Sequence, residues 1–347
     1  MNLTMRGWSL NTYCLTKTWF RTHSVDLRVQ DIKKITSNVK RWLYGDMLLK
    51  PEEIIMSRPT SFGGLSVHNV GVKALAGLIT TFLETACNPK YRRSLYHSNL
   101  FRFHVLDDNS IPDPGFPPFY SKNFFQVIKK VHTESALNVC VMSEGQWYRL
   151  LLEDNVTMEE MENGQRKYIG CRVELASPET DWQTTWRLSR LPGLGSEHTS
   201  FLFKLLHQIL PTQERVARTS PAASPTCKVN NCTGDVVEDL SHALVHCQGN
   251  HGVGLKVVQI AETLVAGAGA ERLLLLDVDV DEGDELALVW WLAAGFLAIW
   301  NMRTVGKRVE LYLVRTQIKA KINLLQDTHF AGVVPKREGL LNLMGGN

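Results

Sequence analysis

The stretch Cys227-Lys-Val-Asn-Asn-Cys232-Thr-Gly-Asp-Val-Val-Glu-Asp-Leu-Ser-His242-Ala-Leu-Val-His246-Cys247 gathers three of the chain's seven cysteines and two of its eleven histidines. Three readings compete for it: a metal site, buried thiols beside unrelated histidines, or a disulfide. Taken as ligands, Cys227, Cys232, His242 and Cys247 give C-x4-C-x9-H-x4-C. Zinc takes four nitrogen and sulfur ligands in a tetrahedron, and short paired spacings let two of them meet from one turn. Asn230, Asn231 and Gly234 supply turn chemistry between the first pair. Residues 240–247 read as a helix on which His242 and His246 stand at i and i+4, so either can face the loop. His242 is the preferred ligand and His246 the alternative. Cys247 joins His242 if the helix ends there. Cys227 and Cys232 have little apolar company, unlike thiols that serve as small hydrophobes. No group is poised as a general base, so the expected cofactor is a structural Zn2+ in a closed site.

The 347 residues are 44% hydrophobic and 21% charged, the balance of a folded protein, and the length suggests about two or three domains. The net charge of +3 is unevenly spread. Residues 1–106 hold 15 Lys+Arg against 6 Asp+Glu, while the remainder is net acidic. A basic first third points to a polyanionic partner, and its alternative is a solvated helix surface. Cys14, Cys87, Cys140 and Cys171 are scattered. The first twenty residues have no apolar core of a secretory signal, so the expected setting is intracellular, nucleus or cytoplasm, where disulfides are disfavoured. Residues 286–300 are apolar but shorter than the ~20 a bilayer needs. They read as a buried helix, and no membrane partner is expected.

Helical periodicity dominates, so the fold class is mainly α. In 27–43 the residues Val29, Ile32, Ile35, Val39, Trp42 and Leu43 share one face, with Lys33, Lys34, Lys40 and Arg41 on others and Gly45 as the stop. Further helices are expected at 70–86, from Ser121 through Val131, at 144–153, from a capping box at Thr157–Glu160, from Thr199 to Leu210, and from a Thr212 cap to Arg218. Gly63-Gly64, the proline-rich 107–121 and 191–195 are breaks. The expected regions are 1–106, a basic helical part; 107–198, linker and short helices; 199–254, the zinc-binding module; and 255–347, a C-terminal helical part.

Residues 90–104 interleave cations (Lys90, Arg92, Arg93, Arg102) with aromatics and contain no acid. Cations neutralise phosphates and aromatics stack on bases. With Lys33, Lys34, Lys40 and Arg41 they are the candidate nucleic-acid contacts; the alternative for 90–104 is a helix with Tyr96, Leu100 and Phe103 packed inward. Asp277–Glu285 lacks the Gly and Glu that an EF-hand needs at its sixth and twelfth places. No serine or cysteine has a base placed beside it.

Ser200-Phe-Leu-Phe-Lys-Leu-Leu-His-Gln-Ile-Leu-Pro-Thr-Gln-Glu-Arg-Val-Ala-Arg218, followed by Cys227, Cys232, His242 after Glu238-Asp239, and Cys247, resembles the zinc-binding region downstream of reverse transcriptases of non-LTR (LINE-type) retrotransposons. Four residues separate the first cysteines here, where two are commoner. Lys50-Pro-Glu-Glu-Ile-Ile-Met-Ser-Arg-Pro59 and Phe62-Gly-Gly-Leu-Ser-Val-His-Asn-Val-Gly-Val-Lys-Ala-Leu-Ala76 look like the segment after the polymerase palm, which implies a helical thumb-like region. The resemblance implies binding of RNA or DNA and an upstream polymerase domain as partner. It implies no enzyme activity for this chain alone. The polymerase's two-metal chemistry needs a carboxylate pair, and the nearest string, Tyr44-Gly-Asp-Met47, carries one. Two other functions stay open: a protein-interaction module with structural zinc, in which the apolar helices at 200–210 and 286–300 bury against missing parts of the parent, or a truncated remnant without function.

Overall fold

The computed structural model describes residues 3–22, 27–45, 53–87, 95–115, 120, 122–134, 138–158, 177–220, 222–229, 232, 235–265, 267–281, 283–306, 308–323 and 334–344. Among them the fold is mainly α, and the one β pairing is a single antiparallel bridge between Thr226 and Val237. The chain divides into two compact bodies. One comprises 4–46 and 65–169; the other comprises 1–3, 47–64 and 170–347.

The N-terminal body contains α1 (Leu3–Ser9), α2 (Thr16–Thr22) and α3 (Val29–Tyr44). After α4 (Glu53–Ser57), which belongs to the other body, it resumes with α5 (Val70–Cys87), α6 (Leu95–His104), α7 (Lys122–Glu134) and α8 (Glu144–Met158). Helix α5 is its axis and touches α2, α3, α6, α7 and α8. Phe82 sits at the centre, with Tyr120, Phe124 and Phe125 edge-on to its ring at 5.3–5.5 Å, the arrangement that ring quadrupoles favour. Helix α3 buries Thr36, Val39, Leu43 and Tyr44, while Val29 and Trp42 stay exposed. Gly45 ends it at φ +54°.

Two expectations here need correction. No new helix starts at Thr157, because α8 runs on through Met158. Its start is fixed by a capping box that pattern reading passed over: Gln146 N–H donates to Ser143 Oγ at 3.3 Å, and Ser143 N–H to Gln146 Oε1 at 2.8 Å. In α6 the inward residues are Leu100 and Phe101, whereas Tyr96 is 47% exposed. Ser121 and Glu160 lie outside the described residues.

The C-terminal body contains α9 (Trp182–Leu188), α10 (Ser196–Leu206), α11 (Gln213–Thr219), α12 (Val253–Ala261), α13 (Gly269–Leu274), α14 (Glu285–Thr304), α15 (Leu311–Asn323) and α16 (Val334–Leu343). Both α5 and α14 are long and apolar enough to cross a membrane, but 83% of the apolar window of α14 is buried inside the chain. Helix α14 is the core element: α10, α12, α15 and α16 pack around it. Gly295 lets α12 approach, since a Cβ there would meet Val257 Cγ1 at 2.8 Å. Trp291 Nε1–H donates to the Val257 carbonyl at 3.0 Å. Arg187 grips Glu285 at the start of α14 through both carboxylate oxygens, at 2.6 and 2.8 Å.

Helix α10 ends at Leu206, before the expected stop at Pro211. Gln208 takes the left-handed conformation (φ +52°), and Ile209 N–H donates to the Lys204 carbonyl at 2.9 Å. This closure usually recruits Gly, so a Gln there gives no signal in the sequence. His207 then stacks on Trp186 at 4.9 Å and donates from Nε2 to the Gly63 carbonyl at 2.8 Å. Gly63 is obligatory at that turn, with φ +82° and the Trp186 ring 2.6 Å from where a Cβ would stand.

Burial lowers His207 to about 4 and His198 likewise to about 4. Both rings are therefore neutral in the folded chain and protonate on unfolding in mild acid. Their contribution to stability is present above the unfolded-state value near 6.5 and is lost as pH falls toward 4. The unfolding free energy from denaturant titrations should drop over that window, before most carboxylates titrate.

Candidate metal centre

The ligating atoms of Cys227, Cys232, His242 and Cys247 all lie within 4.8 Å of one another. Cys227 Sγ and Cys247 Sγ are 3.8 Å apart, and Cys232 Sγ and His242 Nε2 are 3.4 Å apart. A tetrahedron with metal–sulfur bonds of about 2.3 Å and metal–nitrogen bonds of about 2.0 Å has edges of roughly 3.5–3.8 Å. The two paired distances match those edges and the remaining separations stay within 4.8 Å, so the group could hold one metal ion.

Two short extended pieces hold the first pair of cysteines. Cys227 N–H donates to the Val236 carbonyl and Glu238 N–H to the Pro225 carbonyl, each at 2.9 Å, flanking the Thr226–Val237 bridge. Cys232 N–H donates back to the Val229 carbonyl at 3.1 Å. The turn residues Asn230, Asn231 and Gly234 lie outside the described residues.

The second pair sits on a turn wider than the expected α-helix. After Leu240 and Ser241 the backbone is π-helical over His242–His246, and Cys247 N–H closes it onto the His242 carbonyl at 2.8 Å. A π turn spans one residue more than an α turn. It carries Cys247 round to the side of His242, which an α-helix would not do. Asp239 Oδ1 accepts the His242 N–H at 2.6 Å and starts the turn. Of the two histidine candidates, His242 is in the ligand group and His246 is exposed outside it.

Beneath the loop lies a charged pair that sequence reading missed. Arg303, in the last turn of α14, meets Glu238 at 2.5 Å, with side chains only 5% and 7% exposed. The guanidinium also donates to Asn250 Oδ1 at 3.2 Å and lies 3.8 Å from Cys227 Sγ. Asn250 in turn donates to the Ala243 carbonyl at 2.9 Å. Burial opposes the charge on Arg303, but Glu238 and the Cys247 and Cys227 sulfurs outweigh it and raise its pKa. Burial pushes the Cys227 thiol up to about 12, so a bound cation is what would make it a thiolate. Burial, then the Arg303 charge, lowers His242, leaving its imidazole neutral as a ligand must be.

Glu238 has a further task. Its Oε1 and its carbonyl accept the N–H groups of Gln213 and Glu214, each at 3.2 Å, and so cap α11. The expected cap, Thr212, makes no side-chain bond to the helix. A cleft of about 440 Å³ opens beside the centre, with Lys228, Trp300, Arg303 and Arg308 among its walls.

The expected nucleic-acid contacts fare differently. Lys33, Lys34 and Arg41 are exposed and Lys40 half-buried on α3, away from its buried Val39 and Leu43. Arg102 is exposed but paired with Asp108 at 2.5 Å. Lys90, Arg92 and Arg93 lie outside the described residues. Comparison with known proteins finds no matching family model and no matching curated protein.

Replacing Arg303 with Met strands Glu238 in the interior. Losing one partner of a buried pair costs about 3–5 kcal/mol. Denaturant unfolding should report a loss of that size, and a metal-affinity titration should show a fall of about 10–100-fold, the usual effect of removing a group that braces a ligand.

Proposed function

We propose that the chain is a zinc-bound, nucleic-acid-binding piece of a LINE-type reverse transcriptase, with no polymerase activity of its own. The observation that carries this reading is the four-ligand group. Its atoms lie within 4.8 Å of one another, with two of the pairs near the edge length of a zinc tetrahedron, and its Cys3His donor set suits zinc better than harder cations. Cys227, Cys232, His242 and Cys247 would hold the metal. Bound there, it supplies folding energy and a fixed loop, because all four positions are taken by protein.

The nucleic-acid part of the reading rests on charge. Helix α3 carries Lys33, Lys34, Lys40 and Arg41 against a single acid, Asp31. The cleft beside the metal group adds Lys228 and Arg308, with Trp300 as a surface for a base. The resemblance in segment order supplies the parent family. Tyr44 ends α3 and Gly45 caps it, which favours a helix terminus over a catalytic hairpin at that string; Asp46 and Met47 lie outside the described residues.

The protein-interaction reading expected the apolar helices near 200–210 and 286–300 to face missing parts of a parent. Phe201, Leu202, Leu206, Trp290, Trp291 and Phe296 are instead buried together in one core, which removes that reason for preferring it.

Elemental mass spectrometry of the purified chain should find about one zinc per molecule. Cys227→Ser and His242→Ala should lose it, and His246→Ala should keep it. A metal-free chain that remains folded would sink the proposal at its base.

Single-stranded RNA binding should weaken steeply with salt. Each phosphate neutralised on a single strand contributes about 0.7 to the log–log slope. Changing Lys33, Lys34, Lys40 and Arg41 together to Ala should therefore flatten the slope by about 3. Equal slopes for the variant and the parent chain would remove α3 from the interface.

A further inference from the structure

The N-terminal body holds a second pair of sulfurs that the sequence reads as scattered. Cys87 is the last residue of α5, and Cys140 lies in the 3-10 turn Val139–Val141. They are 53 positions apart, yet their Sγ atoms stand 2.7 Å from each other. A covalent S–S bond is about 2.05 Å, so roughly 0.7 Å separates contact from bonding. Both are free thiols, half-buried at the edge of the core that holds Leu83, Val139 and Met142. Asn138 Oδ1 accepts the Cys140 N–H at 3.1 Å and fixes that turn.

We propose that Cys87 and Cys140 form a peroxide-reactive dithiol that closes into a reversible disulfide, a modification site independent of the metal centre. The co-reactant is a hydroperoxide. The Cys140 thiolate attacks the O–O bond; an S–O bond forms, the O–O bond breaks, and the departing oxygen takes a proton to leave as alcohol, or as water from hydrogen peroxide. Cys140 is then a sulfenic acid. Cys87 gives up its proton and attacks that sulfur; the S–S bond forms, the S–O bond breaks, and hydroxide leaves with the proton as water. Two thiols lose two electrons in all, and the peroxide gains them. The sulfur–sulfur contact favours one thiolate beside one retained thiol; the lowered Cys140 and the raised, more deeply buried Cys87 assign the first part to Cys140 and the second to Cys87, and the trapping variants below read out which sulfur takes which. The thiolate is the nucleophile and the retained thiol resolves it.

The test is equimolar hydrogen peroxide on the full, metal-loaded chain, followed by non-reducing tryptic mapping. The expected product joins peptide 74–90 to peptide 131–149, two hydrogens lighter than their sum, and separates under dithiothreitol. Its formation should outpace modification of the exposed Cys14 roughly tenfold. Cys87→Ser should leave Cys140 as a sulfenic acid that dimedone traps, and Cys140→Ser should leave Cys87 open to maleimide after peroxide. Zinc content measured before and after shows that the cysteines of the metal group are not the ones reacting. If Cys87 and Cys140 both still take maleimide once Cys14 is oxidised, or if either pairs with a different cysteine, the proposal is overturned.

Discussion

The buried contact between Arg303 and Glu238 is the constraint on which the candidate metal centre depends. Neither charge is tolerable there alone. Arg303 belongs to the apolar core helix α14, and Glu238 to the loop between the two ligand pairs. Their pairing therefore fixes the loop to the core before any metal is considered. Glu238 uses both carboxylate oxygens and both backbone groups, toward Arg303, Gln213, Glu214 and Pro225. One residue thus sets the position of the extended piece, the start of α11 and the place of the thiols over the guanidinium. A metal held there would complete a frame of which this pair is one fixed corner.

Much of this was legible in the residues. Helical period placed α3 and α5 within a residue or two of where they lie, and the uninterrupted apolar run at 286–300 foretold a core helix. The clustering of Cys227, Cys232, His242 and Cys247 was legible because cysteines among asparagines have no packing reason to be there. What escaped has a common cause. The end of α10 at Gln208, the capping of α11 by Glu238 and the Arg303 brace all depend on groups distant in sequence or on a conformation the residue type does not advertise. Local pattern carries no record of such partners. The same holds for Cys87 and Cys140, which only the fold brings together.

The two bodies use sulfur in contrasting ways. In one, three cysteines and an imidazole gather beside a buried guanidinium that lies 3.8 Å from Cys227 Sγ, an arrangement that could hold a cation. In the other, two thiols meet each other at the edge of an apolar core, the contact on which the proposed dithiol rests. A stress that oxidises one need not empty the other, because a thiolate, were it bound to metal, and a thiol pair at an apolar edge present different nucleophiles to the same oxidant.

The π turn at His242–His246 makes the interval between the last two ligands a matter of counting. Ala243, Leu244 and Val245 face the core and accept exchange among apolar residues of like size. The backbone ladder accepts no such exchange: with five residues from His242 to Cys247, a return to the commoner i→i−4 ladder would swing the terminal sulfur about a quarter-turn away from the imidazole. A chain one residue shorter at this point would need the ordinary α turn instead to put the same two donors on one side.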